Sequence, residues 1–169
     1  MATPIEHKVT FTAPLERVHA AFTNEQYWDD RIEAVGGAGG RIDEFTVTDA
    51  AVDVKMVQTV AAENLPGLIT KIHPGDLEID RTQTWGPLDP AGNGAAGTFS
   101  AAIPGVPAKI GGTVTLTADG ANSVMSVAGE VSVKIPLIGG KAESVAVEQL
   151  TRLLDKEDEF TTEWIAQHP

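Results

Sequence analysis

Gly140-Lys-Ala-Glu143-Ser-Val-Ala-Val-Glu-Gln-Leu150-Thr-Arg-Leu-Leu-Asp-Lys-Glu157-Asp-Glu-Phe-Thr-Thr-Glu-Trp164-Ile-Ala-Gln167 is the most informative stretch of the chain. After Gly140 it holds neither proline nor glycine, and good helix formers dominate. Glu143, Ala146, Val147, Leu150, Leu153, Leu154, Glu157, Thr161, Trp164 and Ile165 fall in one stripe at helical spacing. A helix of this length with one apolar stripe must cover a large apolar surface. Nothing else in the chain is helical enough to offer it, so the partner is expected to be a sheet.

The remaining sequence supplies that sheet. Ile5 to Thr12 alternates apolar and polar residues, the period of a half-buried strand. Pro14 then opens a short helix with Leu15, Val18 and Phe22 on one side. A second follows from Asn24 as N-cap, with Tyr27, Trp28, Ile32 and Val35 on its apolar side, and Gly36-Gly37 ends it. Beyond Gly40 the period returns to two. Strands are expected over Arg41 to Thr48, from Val52 to Val60 and from Leu77 to Trp85, then around Phe99, from Ile110 to Leu116 and from Val124 to Ile135. Asp119-Gly120 marks a hairpin turn. Short turns between strands imply antiparallel pairing rather than βαβ crossovers.

Composition bounds the rest. The 169 residues, 17.8 kDa, suit one domain spanning 1–169. With zero cysteines there is neither a disulfide nor a thiolate metal site. A net charge of −12 argues against nucleic acid or an anionic membrane surface as partner. The N-terminus lacks the basic start and apolar run of a signal peptide, and the long uncharged run Pro90 to Ala108 is broken by glycines and prolines. No membrane insertion and a cytoplasmic location are therefore expected.

The order of strand, two short helices, six strands and one long C-terminal helix resembles the START-like superfamily, the polyketide-cyclase, aromatase and pollen-allergen group. The resemblance is greatest to a bacterial branch without assigned function. It rests on His7-Lys8-Val9-Thr10-Phe11-Thr12-Ala13-Pro14 with Val18 and Phe22, on the Tyr27-Trp28 pair, and on Val133-Lys134-Ile135-Pro136-Leu137-Ile138-Gly139-Gly140-Lys141 leading into the last helix. It implies an α+β helix-grip fold. A seven-stranded curved antiparallel sheet would wrap around the C-terminal helix, with two short helices between strands 1 and 2 and a ligand cavity between sheet and helix. Fold alone is a warrant for a cavity, not for a chemistry.

Local motifs add little chemistry. Gly92-Asn-Gly94-Ala-Ala-Gly97 matches a dinucleotide fingerprint in letters, but no strand precedes it and no helix follows, so it reads as a glycine-rich loop. His7, His19, His73 and His168 show no metal-binding spacing and read as separate surface or rim histidines; neither a metal nor a cofactor is expected. Asp29, Asp30 and Glu33, with Arg31 between them, read as a solvated helix face.

Glu157 is the exception, since it lies at the centre of the apolar stripe. Two readings stand. It faces the cavity as a polar anchor or acid/base group, with Arg81 and Gln83 as partners, or the helix end overhangs the sheet and leaves it in water. The expected lining of the cavity is Val54, Met56, Ile79, Arg81, Gln83, Trp85, Phe99, Leu153 and Glu157. Between two strands, Leu65, Leu68, Ile69 and Ile72 recur at helical spacing in a connection too apolar for a plain hairpin. One turn of helix is expected there, acting with Ile103 to Pro107 as a lid.

Three functions fit these observations. The first is binding of a small apolar molecule, a lipid or polyketide-like compound. The second is an enzyme of cyclase, aromatase or dehydratase type, with Glu157, Arg81 or Tyr27 steering a proton. The third is a regulatory module that binds a protein partner.

Overall fold

The alternation of Ile5, His7, Val9 and Phe11 turns one face of β1 (Thr3–Phe11) inward and leaves Glu6, Lys8 and Thr10 in solvent. A computed structural model describes residues 2–169. Pro14 stands in extended conformation directly before α1 (Leu15–Phe22). The Asn24 side chain accepts from the Gln26 amide at 2.9 Å and caps α2 (Glu25–Val35), which Gly36 closes. Six strands follow: β2 (Arg41–Thr48), β3 (Ala51–Val60), β4 (Leu77–Trp85), β5 (Gly94–Ala102), β6 (Ala108–Asp119) and β7 (Asn122–Val133). A short helix α3 (Gly67–Ile72) lies between β3 and β4, and α4 (Gly139–Gln167) ends the chain.

All seven strands form one antiparallel sheet in the order β1-β7-β6-β5-β4-β3-β2. This is the helix-grip arrangement that the sequence order implies. Gly92-x-Gly94-x-x-Gly97 departs from its reading as a loop: β5 begins at Gly94, and only Gly92 lies in the turn, at φ +73°. Strand pairing there simply continues into small residues.

Curvature has a local cause. Gly112 and Gly129 are register partners on the inward face of β6 and β7. A Cβ on Gly112 would stand 2.1 Å from the Ala128 carbonyl oxygen, and one on Gly129 would stand 2.2 Å from that of Gly111. A side chain at either position would collide with the neighbouring strand, so only glycine fits, as is usual where a sheet curves.

The long helix is held hardest at its two ends. Near the start, Glu143 accepts from Thr3 Oγ1 at 2.8 Å and from the Val133 amide at 2.9 Å, while Ala142 packs with Ile5, Val131 and Val133. Near the finish, Trp164 and Ile165 are buried in the main core with Phe22, Tyr27 and Trp28. In between, Val147, Leu150, Leu153 and Leu154 are only half-buried. The leucines of the stripe are therefore not fully buried in the middle of the helix. The bent sheet draws away there.

Candidate functional site

Glu157 settles between the sheet and α4 with 4% of its surface exposed, so the reading that left it in water is overturned. Two arginines from different elements converge on it. Arg81, inward on β4, donates from Nη1 to Oε2 at 2.5 Å and from Nη2 to Oε1 at 3.1 Å. Arg31, on α2, reaches Oε1 through Nη2 at 2.6 Å. Gln58 on β3 accepts from Arg81 Nη1 at 2.8 Å and fixes its orientation. The Arg31 guanidinium also lies 4.7 Å from the centre of the Trp28 ring.

Tyr27 completes the cluster. Thr161 Oγ1 donates to the Glu157 carbonyl at 2.7 Å, so in its 2.6 Å contact with the Tyr27 hydroxyl the phenol is the donor. Burial pushes the Tyr27 phenol above its ordinary value and keeps it protonated. Burial alone would also raise the Glu157 carboxyl. The charges of Arg31 and Arg81, with their hydrogen bonds, overcome that and hold it at about 2. Glu157 is an ionised anchor for two guanidiniums. It is not a proton donor at neutral pH.

Above this polar floor lies a cavity of about 50 Å³. Tyr27, Trp28, Arg31, Arg81, Gln83, Trp85, Phe99, Val114, Leu150, Leu154 and Glu157 all face it. A second space of about 40 Å³ lies under α3, bounded by Ile69, Ile72, Ile103 and Val106 on one side and Ala142 and Ala146 on the other.

His7 and Asp158 pair at the edge of the first cavity, with Nε2 and Oδ2 2.6 Å apart. Burial raises the Asp158 carboxyl, and the His7 contact opposes that without cancelling it. Asp155 stands 3.8 Å from the same nitrogen, and the ligand atoms of the three residues lie within 4.8 Å of one another. This is a spacing at which a metal ion can be held. Nor is His19 a rim residue: it is buried, with Nε2 2.8 Å from the Gly86 carbonyl oxygen. The reading of separate surface or rim histidines is corrected at His19, while His7 stands at the cavity rim and is engaged by Asp158.

A family model described as "Protein of unknown function (DUF2505)" matches residues 6–165. The chain belongs to this family. Among its relatives is "Uncharacterized protein Rv0481c" of Mycobacterium tuberculosis (strain ATCC 25618 / H37Rv), 31% identical over 175 residues that cover 99% of each chain. The DUF2505 chain also resembles the protein TTHA0849 from Thermus thermophilus, with TM-score 0.61 and 12% identity over 98% of this chain and 99% of that one. A third likeness is to the Zhui aromatase/cyclase from Streptomyces sp. R1128, with TM-score 0.54 and 14% identity over 99% and 93%. At these identities the structural likenesses establish the helix-grip fold.

Of the expected lining residues in this DUF2505 chain, Arg81, Gln83, Trp85, Phe99 and Glu157 meet at the cavity. Val54 and Met56 do not; they are fully buried in the core with Trp28 and Ile32 of α2. Ile79 lies beyond the last β4–β5 pair, Asp80 with Ala102, and is half-exposed away from the cavity. Leu153 sits one residue around the helix from the cavity-facing position that Leu154 occupies. In the connection between β3 and β4, Ile69 and Ile72 face the second cavity, Leu68 packs beside Ile72 against the Val131–Ala142 cluster, and Leu65 is half-buried.

Arg31 was hidden among the acidic residues of α2, and its assignment to a solvated face is corrected. It stands four residues after Tyr27, hence on the same apolar side, and that spacing was the available signal. Asp30 likewise accepts from Trp164 Nε1 at 2.9 Å rather than facing only water. His7 shares the inward face of β1 with Ile5 and Val9, a placement its alternation already carried.

Proposed function

We propose that this chain binds a small hydrophobic ligand, lipid or polyketide-like, in the space between the sheet and α4. The half-buried middle of α4 carries the reading: Leu150 and Leu154 face an open cavity where a purely structural helix would be packed tight. Apolar walls with a few convergent polar groups are the usual make-up of a small-molecule site. Arg81, Gln83, Trp85, Phe99 and Glu157 form the site, with Tyr27 and Arg31 added. Its volume of about 50 Å³ is well below the roughly 300–1,000 Å³ of occupied ligand sites. Binding therefore requires opening. The segment carrying Leu65, Leu68, Ile69 and Ile72, together with Ile103 to Pro107, is the lid in this reading; no residue of α3 is fully buried, so it can move at low cost. Native mass spectrometry of the purified protein tests the proposal. A retained apolar small molecule supports it. A bare polypeptide mass that stays bare after incubation with lipid extract and with aromatic polyketides contradicts it.

A second reading, an enzyme of cyclase, aromatase or dehydratase type, is favoured by Tyr27. Once turned from Thr161 Oγ1, the protonated phenol beside Arg31 is a suitable proton donor to a carbonyl oxygen in the cavity. The fold shared with an aromatase/cyclase is compatible with it. Turnover of a polyketide mimic that is lost in Tyr27→Phe, with binding retained, supports this reading; no turnover in the wild type removes it.

A further inference from the structure

The two cavities under the sheet share a wall. Ile110 on β6 lines both of them. Opposite it on α4, Leu150 faces the first cavity and Ala146, one turn earlier, faces the second. A single isoleucine and one helical turn thus stand between two cavities that follow one another along α4, a divided trough. Joining the halves requires the Ile110 side chain to move aside.

The trough is polar at one end only. The charged groups, Arg31, Arg81, Glu157 and Asp158, face the first cavity. The second is bounded by aliphatic side chains and His73, whose Nδ1 is buried without a hydrogen-bond partner. At the polar end, guanidinium N–H groups outnumber the contacts they make. Two guanidiniums offer about five N–H groups each, and their partners are Glu157, the Gln58 oxygen and, at 3.5 Å, the Tyr27 hydroxyl. Asp158 faces the same cavity, with its Oδ2 engaged by His7. A head group rich in acceptors fits this end, and a narrow apolar chain fits the other.

We infer that the trough takes an elongated single-chain amphiphile, with a carboxylate head on Arg31 and Arg81 and a tail that passes Ile110 into the cavity under α3. This rests on the binding reading above and names the class of ligand.

Displacement of the dye anilinonaphthalenesulfonate from the full chain tests it, using octanoate, dodecanoate, hexadecanoate and the methyl ester of dodecanoate. In the wild type the two long acids are expected to displace the dye at least about tenfold more tightly than octanoate, and the ester about tenfold more weakly than its acid. Longer chains partition more strongly in any apolar site, so two variants carry the decision. Ala108→Leu fills the second cavity from β6, and Ala146→Leu fills it from the helix. Each is expected to bring the long acids to the level of octanoate and leave octanoate unchanged. Thermal melting establishes that each is folded, and if one is not, the other gives the same readout. Long acids unaffected by the folded variants, or an ester as tight as its acid, overturn the inference while leaving the binding reading intact. Failure of the dye and of every acid to bind overturns both.

Discussion

Arg81 and Glu157, 76 residues apart, meet in a two-pronged ion pair that joins the middle of the sheet to the last helix beneath the cavity. Arg31 shares the same carboxylate, so three elements depend on one side chain. A buried carboxylate with two partners is costly to remove, because its loss leaves two buried cations uncompensated. Glu157→Gln is expected to lower unfolding stability by about 3–5 kcal/mol in urea titrations. A loss under about 1 kcal/mol would mean the cluster is wetter than its burial indicates.

Acid gives the same group a second readout. The folded-state carboxyl of Glu157, at about 2, lies below its ordinary unfolded value near 4.3. Its contribution is thus fully present above about pH 5 and lost as pH falls toward 2, on the order of 3 kcal/mol in all. Asp158 works in the opposite sense: its raised carboxyl favours the protonated native state, so acid relieves it and offsets part of that loss. Comparing wild type with Glu157→Gln between about pH 6 and pH 3, the wild type should lose more stability. Parallel losses would show that acid acts elsewhere.

The bend in the sheet predicts opposite outcomes for two kinds of glycine. Gly112→Ala or Gly129→Ala forces a methyl group into a carbonyl of the neighbouring strand and is expected to cost at least about 2 kcal/mol. A Cβ on Gly140, in the first turn of α4, meets nothing within 4 Å, so Gly140→Ala should gain about 0.5–1 kcal/mol. Thermal melts of the three variants check both signs.

Anchorage of α4 at its ends rather than its centre also has a measurable consequence. Trp164→Ala removes a buried indole from the main core and should cost about 3–5 kcal/mol. Leu153→Ala removes a half-exposed side chain and should cost about 1 kcal/mol or less. Equal losses in denaturant titrations would contradict a helix gripped from its two ends.

For the lid, Leu68→Asp with Ile69→Asp places two charges on a short helix whose side chains are all partly exposed. Dye exchange in stopped flow is expected to accelerate about tenfold or more, with little change in melting temperature. Unchanged exchange would assign the segment an ordinary covering role.

Much of the fold was legible because it rests on periodicity. The stripe from Glu143 to Ile165 fixed the helix, and the alternations through Ile5–Phe11, Val52–Val60 and Leu77–Trp85 fixed strands. The site was harder to read because cavity lining depends on register and bend. Val54 and Gln83 are register partners on one face, yet only Gln83 reaches the cavity, while Val54 is packed into the main core. Leu153 and Leu154 differ by one residue along the helix, less than the precision with which a stripe can be phased from sequence. Arg31 was obscured by its acidic neighbours, although its spacing from Tyr27 marked the apolar side. That Ile110 lines both cavities has no sequence signature, because it depends on how sheet and helix pack together.

Amide chemical-shift mapping of isotope-labelled protein during titration with anilinonaphthalenesulfonate tests the binding claim most directly. Saturable shifts centred on Phe99, Ala101, Ile110, Leu150 and Leu154, where sheet and helix face each other across the cavity, are the expected result. Shifts confined to exposed apolar residues such as Val47 and Leu137, or none at all, would contradict a ligand site between the sheet and α4.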